Sequence, residues 1–227
     1  MGEGQLNAGS GGGPGLDSGA GTEARPRLGV LLVTSGWFRE VGLQGAGSDT
    51  TREAARAGAA VVKRLEEFAD PVYDGVLFST SEAEKAARRI LAAGVDGVLC
   101  APLMWCEDAI PRAALAIVKG LPLVLWTWSP GPSLPDVVPF QVMLRGSGAV
   151  CTMQLSGMLK RERTAFWSVA GHAEGGDGTR VARRHDMSGP SLARAALWFS
   201  LLVAFTLAAK ADTPRCAEHP LFPTHIG

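Results

Sequence analysis

The stretch "LGVLLVTSG", Leu28 to Gly36, decides the fold. It is a short unbroken apolar run, rich in β-branched residues and closed by a glycine. A strand with one wet face would alternate apolar and polar side chains, whereas this one needs cover on both faces, as in a parallel sheet flanked by helices. Three more runs share its character: "VYDGVLFS" at 72–79, "VDGVLCAP" at 95–102 and "LPLVLWTWSP" at 121–130. Between them lie "TTREAARAGAAVVKRLEEFA", "SEAEKAARRILAAG" and "EDAIPRAALAIVKG", whose apolar residues recur every three or four positions and so mark helices with one buried stripe. Strand and helix alternating at this spacing give right-handed crossovers. The sequence therefore predicts an α/β chain with a doubly wound, mostly parallel, Rossmann-like sheet.

The punctuation agrees with those elements. Asp49 or Thr50 is placed to cap the first helix, Ser81 the second with Glu84 completing a capping box, and Gly94 and Gly120 fall where helices stop. Pro111 falls in or near the first turn of the third helix, where its missing N–H costs little. Residues 1–26 carry so much glycine, and so little apolar surface, that they read as a flexible tail. The Rossmann-like domain is expected over 27–145. Residues 146–190 read as a linking helix and the start of an incomplete second domain, and 191–227 as a divergent apolar helix followed by coil.

Composition excludes several function classes. Twenty-two basic residues balance twenty-two acidic ones, and no run of five like charges occurs, so nucleic acid is not an expected partner. The four cysteines, Cys100, Cys106, Cys151 and Cys216, are widely spaced and include no C-x-x-C pair, which is not the pattern of a disulfide framework. With no basic-then-apolar leader at the start, a cytoplasmic location is expected. The uncharged run from Ala195 to Ala209 spans fifteen residues, short of the ~20 that a membrane helix requires, so it reads as a core or interface helix and membrane is not an expected partner.

Ligands of open parallel sheets bind beyond the carboxyl ends of the strands, so the loops after the first, third and fourth strands are the informative ones. Gly45-Ala46-Gly47 lies too far past the first strand for a dinucleotide loop and has Thr50 where its third glycine belongs. There is no Walker loop. Around Ser147 the pattern is R-G-S-G rather than G-x-S-x-G, and no convincing base follows it. Gly146-Ser147-Gly148 accordingly reads as the turn into a helix that leaves the first domain, with Ser147 as its cap. Cys216, His219 and His225 lack the second cysteine and the open spacing of a zinc site. The expected catalytic and metal residues of this chain are therefore none.

Three segments in order, "PLMWCEDAIPRAALA", "LPLVLWTWSPGP" and "MLRGSGAVCTMQLSGMLKR" leading to "FWSVAGH", resemble the N-terminal half of the L-fucose isomerase and L-arabinose isomerase superfamily. The resemblance covers residues 27–172. It implies an aldose–ketose isomerase of carbohydrate metabolism, a homo-oligomer with the sugar bound between subunits, and a manganese ion whose carboxylate and histidine ligands lie downstream of this region. It further implies that the position of Trp105 offers an aromatic face to the sugar, the competing reading being packing in the core or at a subunit contact. "TSGWFREVGLQG" departs from the family patterns after the first strand, leaving Arg39 and Gln44 as the polar substrate-binding candidates. On this reading the chain contributes to a sugar pocket but lacks the metal centre, and alone should not catalyse. The alternative is a non-catalytic sugar-binding or regulatory α/β module.

Overall fold

The computed structural model describes residues 25–43, 50–131, 136–171 and 180–185. The expected tail over 1–26 lies almost wholly outside them, and the stretch beyond 185, with the Ala195–Ala209 run, does so entirely. The described elements run β1 (Arg27–Val33), α1 (Trp37–Leu43), α2 (Thr50–Leu65), β2 (Asp70–Leu77), α3 (Thr80–Ala92) and β3 (Gly97–Pro102). They continue with α4 (Ala109–Ile117), β4 (Leu123–Trp128), α5 (Phe140–Gly146), α6 (Gly148–Arg161), β5 (Phe166–Gly171) and β6 (Arg180–His185). The strands form one sheet in the order β2-β1-β3-β4-β5-β6, parallel from β2 to β5, with β6 antiparallel at the edge.

The sheet is doubly wound, as expected. From β1 the chain moves outward to β2, then crosses back over β1 to β3 and continues in that direction to β5. Right-handed crossovers require the helix on the outward leg to lie on one face and those on the return legs to lie on the other. The core divides accordingly. Leu31 and Val33 of β1 pack with Ala83, Ala87 and Ile90 of α3, Ala114 of α4 and Leu155 of α6. Leu28, Val30 and Leu32 pack with Val61 and Leu65 of α2 on the opposite face. The unbroken apolar character of "LGVLLV" is thus explained: alternate side chains enter two different cores.

A third, smaller cluster closes the carboxyl end of the sheet. Phe38 of α1, Ala54 of α2, Phe78 after β2 and Met104 after β3 are buried together, with Leu144 of α5 against them. α1 and α5, at seven residues each, have too few turns to give a periodic signal in the sequence.

Three other expectations change. The second helix is capped by Ser79 rather than Ser81: the Ser79 hydroxyl accepts from the Glu82 N–H at 3.2 Å, and the Glu82 carboxylate accepts from the Phe78 N–H at 2.7 Å. The box is the expected device, two residues earlier. The boundary expected at 145/146 falls inside one sheet, because α6 is the crossover from β4 to β5 and buries Cys151, Leu155 and Leu159 in the same core as α3 and α4. Ser147 precedes α6 in helical backbone conformation, and its side chain makes no bond to the first turn of that helix. Its hydroxyl is turned elsewhere, as described below.

Gly148 shows why the turn reads G-S-G. A Cβ there would stand 2.2 Å from the Pro102 carbonyl oxygen, so the first turn of α6 meets the end of β3 only through a bare backbone. At Gly146 a Cβ would meet nothing within 4 Å. Gly148→Ala is therefore expected to lower unfolding stability by about 1–3 kcal/mol through overpacking against backbone, and Gly146→Ala to leave it nearly unchanged. Urea unfolding of the two variants measures the contrast, and equal midpoints would refute the close approach.

Candidate functional site

The order of strands reverses between β1 and β3, and in sheets of this kind the crevice at that point is where ligands collect. Here the loops beyond β1 and β3 are bonded to each other. The Thr34 N–H donates to the Leu77 carbonyl at 3.0 Å, and the Ser35 N–H donates to the Trp105 carbonyl at 3.1 Å. The Ser35 hydroxyl donates to Glu107 at 2.9 Å and accepts from the Trp37 N–H at 3.1 Å. From the other side the Trp105 N–H donates to the Ser147 hydroxyl at 2.8 Å, while that hydroxyl donates to the Leu144 carbonyl. Both backbone groups of Trp105 are thus held, one by the first loop and one by the turn between α5 and α6.

Its indole is left exposed, as is that of Trp37, at 37% and 46%. Of the three residues expected to bind substrate, Trp105 is therefore at the switch point with a free aromatic face. Arg39 is engaged in the fold: its guanidinium donates to Glu82 at 2.8 Å and lies 3.9 Å from the centroid of the Phe78 ring. Gln44 lies outside the described residues. Burial alone would raise the Glu82 carboxyl, but the Phe78 N–H and the Arg39 guanidinium outweigh it and hold it below the usual carboxylate range.

Several residues of this edge were not singled out from sequence. Ser35, Trp37 and Glu107 carry the link between the loops, and Arg145 makes a two-pronged bond to Glu53 that ties α5 to α2, its Nε donating at 2.7 Å. The signal for Trp37 was present: "TSGW" and "PLMW" each place a tryptophan a few residues beyond a buried strand. Ser35 and Glu107 gave none, since single serines and glutamates in loops are ordinary surface residues.

Unspent polar capacity gathers at the same end. The Thr34 hydroxyl, one Asp108 carboxylate oxygen and the Trp128 indole N–H are buried without a hydrogen-bond partner among the described residues. Thr34 follows β1, Asp108 precedes α4 and Trp128 ends β4, so all three sit at carboxyl ends of the parallel strands. Buried polar groups without partners are uncommon in folded proteins.

The residues here do not fit the manganese ion that the resemblance implies. Among the described residues, no three His, Cys, Asp or Glu side chains gather as a metal would require. Glu53, Glu82 and Glu107 are each held by donors of the protein itself.

A separate cavity of about 560 Å³ opens at the opposite end of the strands, between α4 and α6, lined by Leu115, Val118, Leu121 and Met158 with Arg112 and Glu162 at its side. Those two charges pair with one another at 3.2 Å. Lys119 and Thr164 line the cavity as well, so its wall mixes apolar side chains with polar ones. Among the described residues no helix is long and apolar enough to cross a membrane.

No family model matches the chain, and no curated protein matches it either. The likeness to sugar isomerases therefore rests on the segments quoted from the sequence.

Removing the Ser147 hydroxyl takes away the acceptor of the Trp105 N–H. Ser147→Ala is expected to cost about 1 kcal/mol of unfolding stability. The same variant should speed hydrogen exchange at the Trp105 amide, whereas a simple loss of helix capping would speed exchange only in the first turn of α6.

Proposed function

We propose that this chain is the Rossmann-like unit of an aldose–ketose isomerase-like protein of carbohydrate metabolism, and that it contributes a sugar-binding surface at the carboxyl edge of β1 and β3. The observation that supports this most is the exposed indole of Trp105, fixed through both of its backbone groups between Ser35 and Ser147. A sugar presents a face of C–H groups and a rim of hydroxyls. An exposed indole suits the first, and the acceptor capacity that Glu107 retains beside its bond from Ser35 suits the second.

The unit contributes to a pocket rather than completing one. Glu53, Glu82 and Glu107 at this edge each already accept from the protein, and the metal ligands that the resemblance implies belong to sequence beyond this region. A neighbouring subunit of a homo-oligomer is the proposed partner that covers the site. Support for this comes from Phe140, Met143, Val150 and Met153, which flank the α5–α6 turn and are each at least half exposed. Large apolar side chains grouped in this way favour contact with another protein surface over water.

Calorimetric titration with pentoses and 6-deoxyhexoses tests the proposal. Saturable binding to the full chain is expected, with Trp105→Ala weakening it roughly tenfold, the loss of ~1.4 kcal/mol that a stacked ring provides. No aldose–ketose turnover is expected from this chain with manganese added. Binding unaffected by the loss of Trp105 would contradict the assigned surface, and turnover by the chain alone would contradict its role as a contributing unit.

A further inference from the structure

We infer that Cys106 and Cys151 form a redox modification site, closing to an intramolecular disulfide when hydrogen peroxide reaches them. The two residues stand far apart in sequence and on different elements, yet their sulfurs lie 2.9 Å apart in the buried core. Cys106 follows Trp105 in the loop after β3, and Cys151 is on the first turns of α6. Two further contacts hold these elements in register: the Trp105 N–H on the Ser147 hydroxyl, and Gly148 against the Pro102 carbonyl. A disulfide has sulfurs ~2.05 Å apart, so closing the bond needs the two sulfurs to approach by under about 1 Å.

The contact between the two sulfurs, in which either thiol can donate, and the Cys106 backbone N–H favour a thiolate at Cys151 against the effect of burial. In one order Cys151 attacks and Cys106 resolves, and the reverse order gives the same disulfide. The Cys151 thiolate attacks one peroxide oxygen and the O–O bond breaks, giving a sulfenic acid and a hydroxide that takes up the proton Cys151 had released. The Cys106 sulfur then attacks the sulfenic sulfur, the S–O bond breaks, and a second water leaves with the Cys106 proton. In sum, the two thiols lose two electrons and two hydrogens, and the peroxide is reduced to two molecules of water.

The new bond would fix the loop that carries Trp105 to α6. Cys100 provides an internal control, since it too is fully buried in β3 and close enough to Cys151 for charge on that sulfur to help raise its thiol, after burial itself.

The experiment uses the full chain, first reduced and then treated in the folded state with a series of hydrogen peroxide concentrations. The reaction is quenched, the chain unfolded, free thiols are alkylated with N-ethylmaleimide, and the digest is weighed. The expected result is a mass lower by about 2 Da before alkylation, a peptide pair joining Cys106 to Cys151, and full recovery of both thiols with dithiothreitol. Cys100 stays alkylated throughout. A Cys216→Ser chain gives the same crosslink, and Cys151→Ala leaves Cys106 alkylated. Full alkylation of both residues at every peroxide concentration would overturn the inference. So would a bond from either residue to Cys100 or Cys216, or a crosslink that appears only when the chain is unfolded in urea before oxidation.

Discussion

A methyl group at position 148 would collide with the Pro102 carbonyl oxygen, so α6 can begin where it does only because its first residue has no side chain. The close approach has several consequences. It sets Ser147 beside the Trp105 N–H, puts Cys151 against Cys106, and brings α5 over the end of the sheet, where Leu144 meets Phe38, Phe78 and Met104. The loops beyond β1 and β3 are then joined through Ser35, whose amide and hydroxyl reach Trp105 and Glu107.

Magnitudes separate what holds the fold from what shapes this edge. Each fully buried Leu or Val of β1, β3 and β4 contributes about 1.5–3 kcal/mol, and these three strands bury many such side chains in two cores. Each hydrogen bond at the carboxyl edge is worth about 0.5–1.5 kcal/mol net, and exposed pairs such as Arg88–Glu84 about 0–1 kcal/mol. The sheet would thus persist without the bonds at its edge, which act chiefly to position Trp105. Position matters for recognition: a loop backbone already held in place loses less freedom when a ligand binds against it.

The architecture was legible because each strand is apolar on both faces and each crossover helix has one apolar stripe, two periodicities that a sequence displays directly. β1 through β4 and the helices α2, α3 and α4 follow from it, with ends shifted by up to four residues. What was hidden shares a physical cause. α1 and α5 are too short to show a period. Placing α6 outside the first domain followed from the glycines around Ser147, which signal a turn equally well between domains and within one. Trp105 was found by its motif, whereas Ser35, Glu107 and the pairing of Cys106 with Cys151 depend on which loops the strand order brings together. No local pattern encodes that. Arg39 looked available because it is a charged loop residue, and only the folded chain shows it bound to Glu82 and stacked on Phe78.

The central claim is that the loops after β1 and β3 and the α5–α6 turn form one bonded unit around the Trp105 peptide. Native-state hydrogen exchange at the Ser35 and Trp105 amides tests it most directly, since both belong to surface segments that would otherwise exchange by local fluctuation. The account predicts that both amides open only with the sheet, at rates within an order of magnitude of the β3 amides of Leu99 and Cys100. Exchange at the rate of an unbonded loop, with β3 still protected, would contradict it.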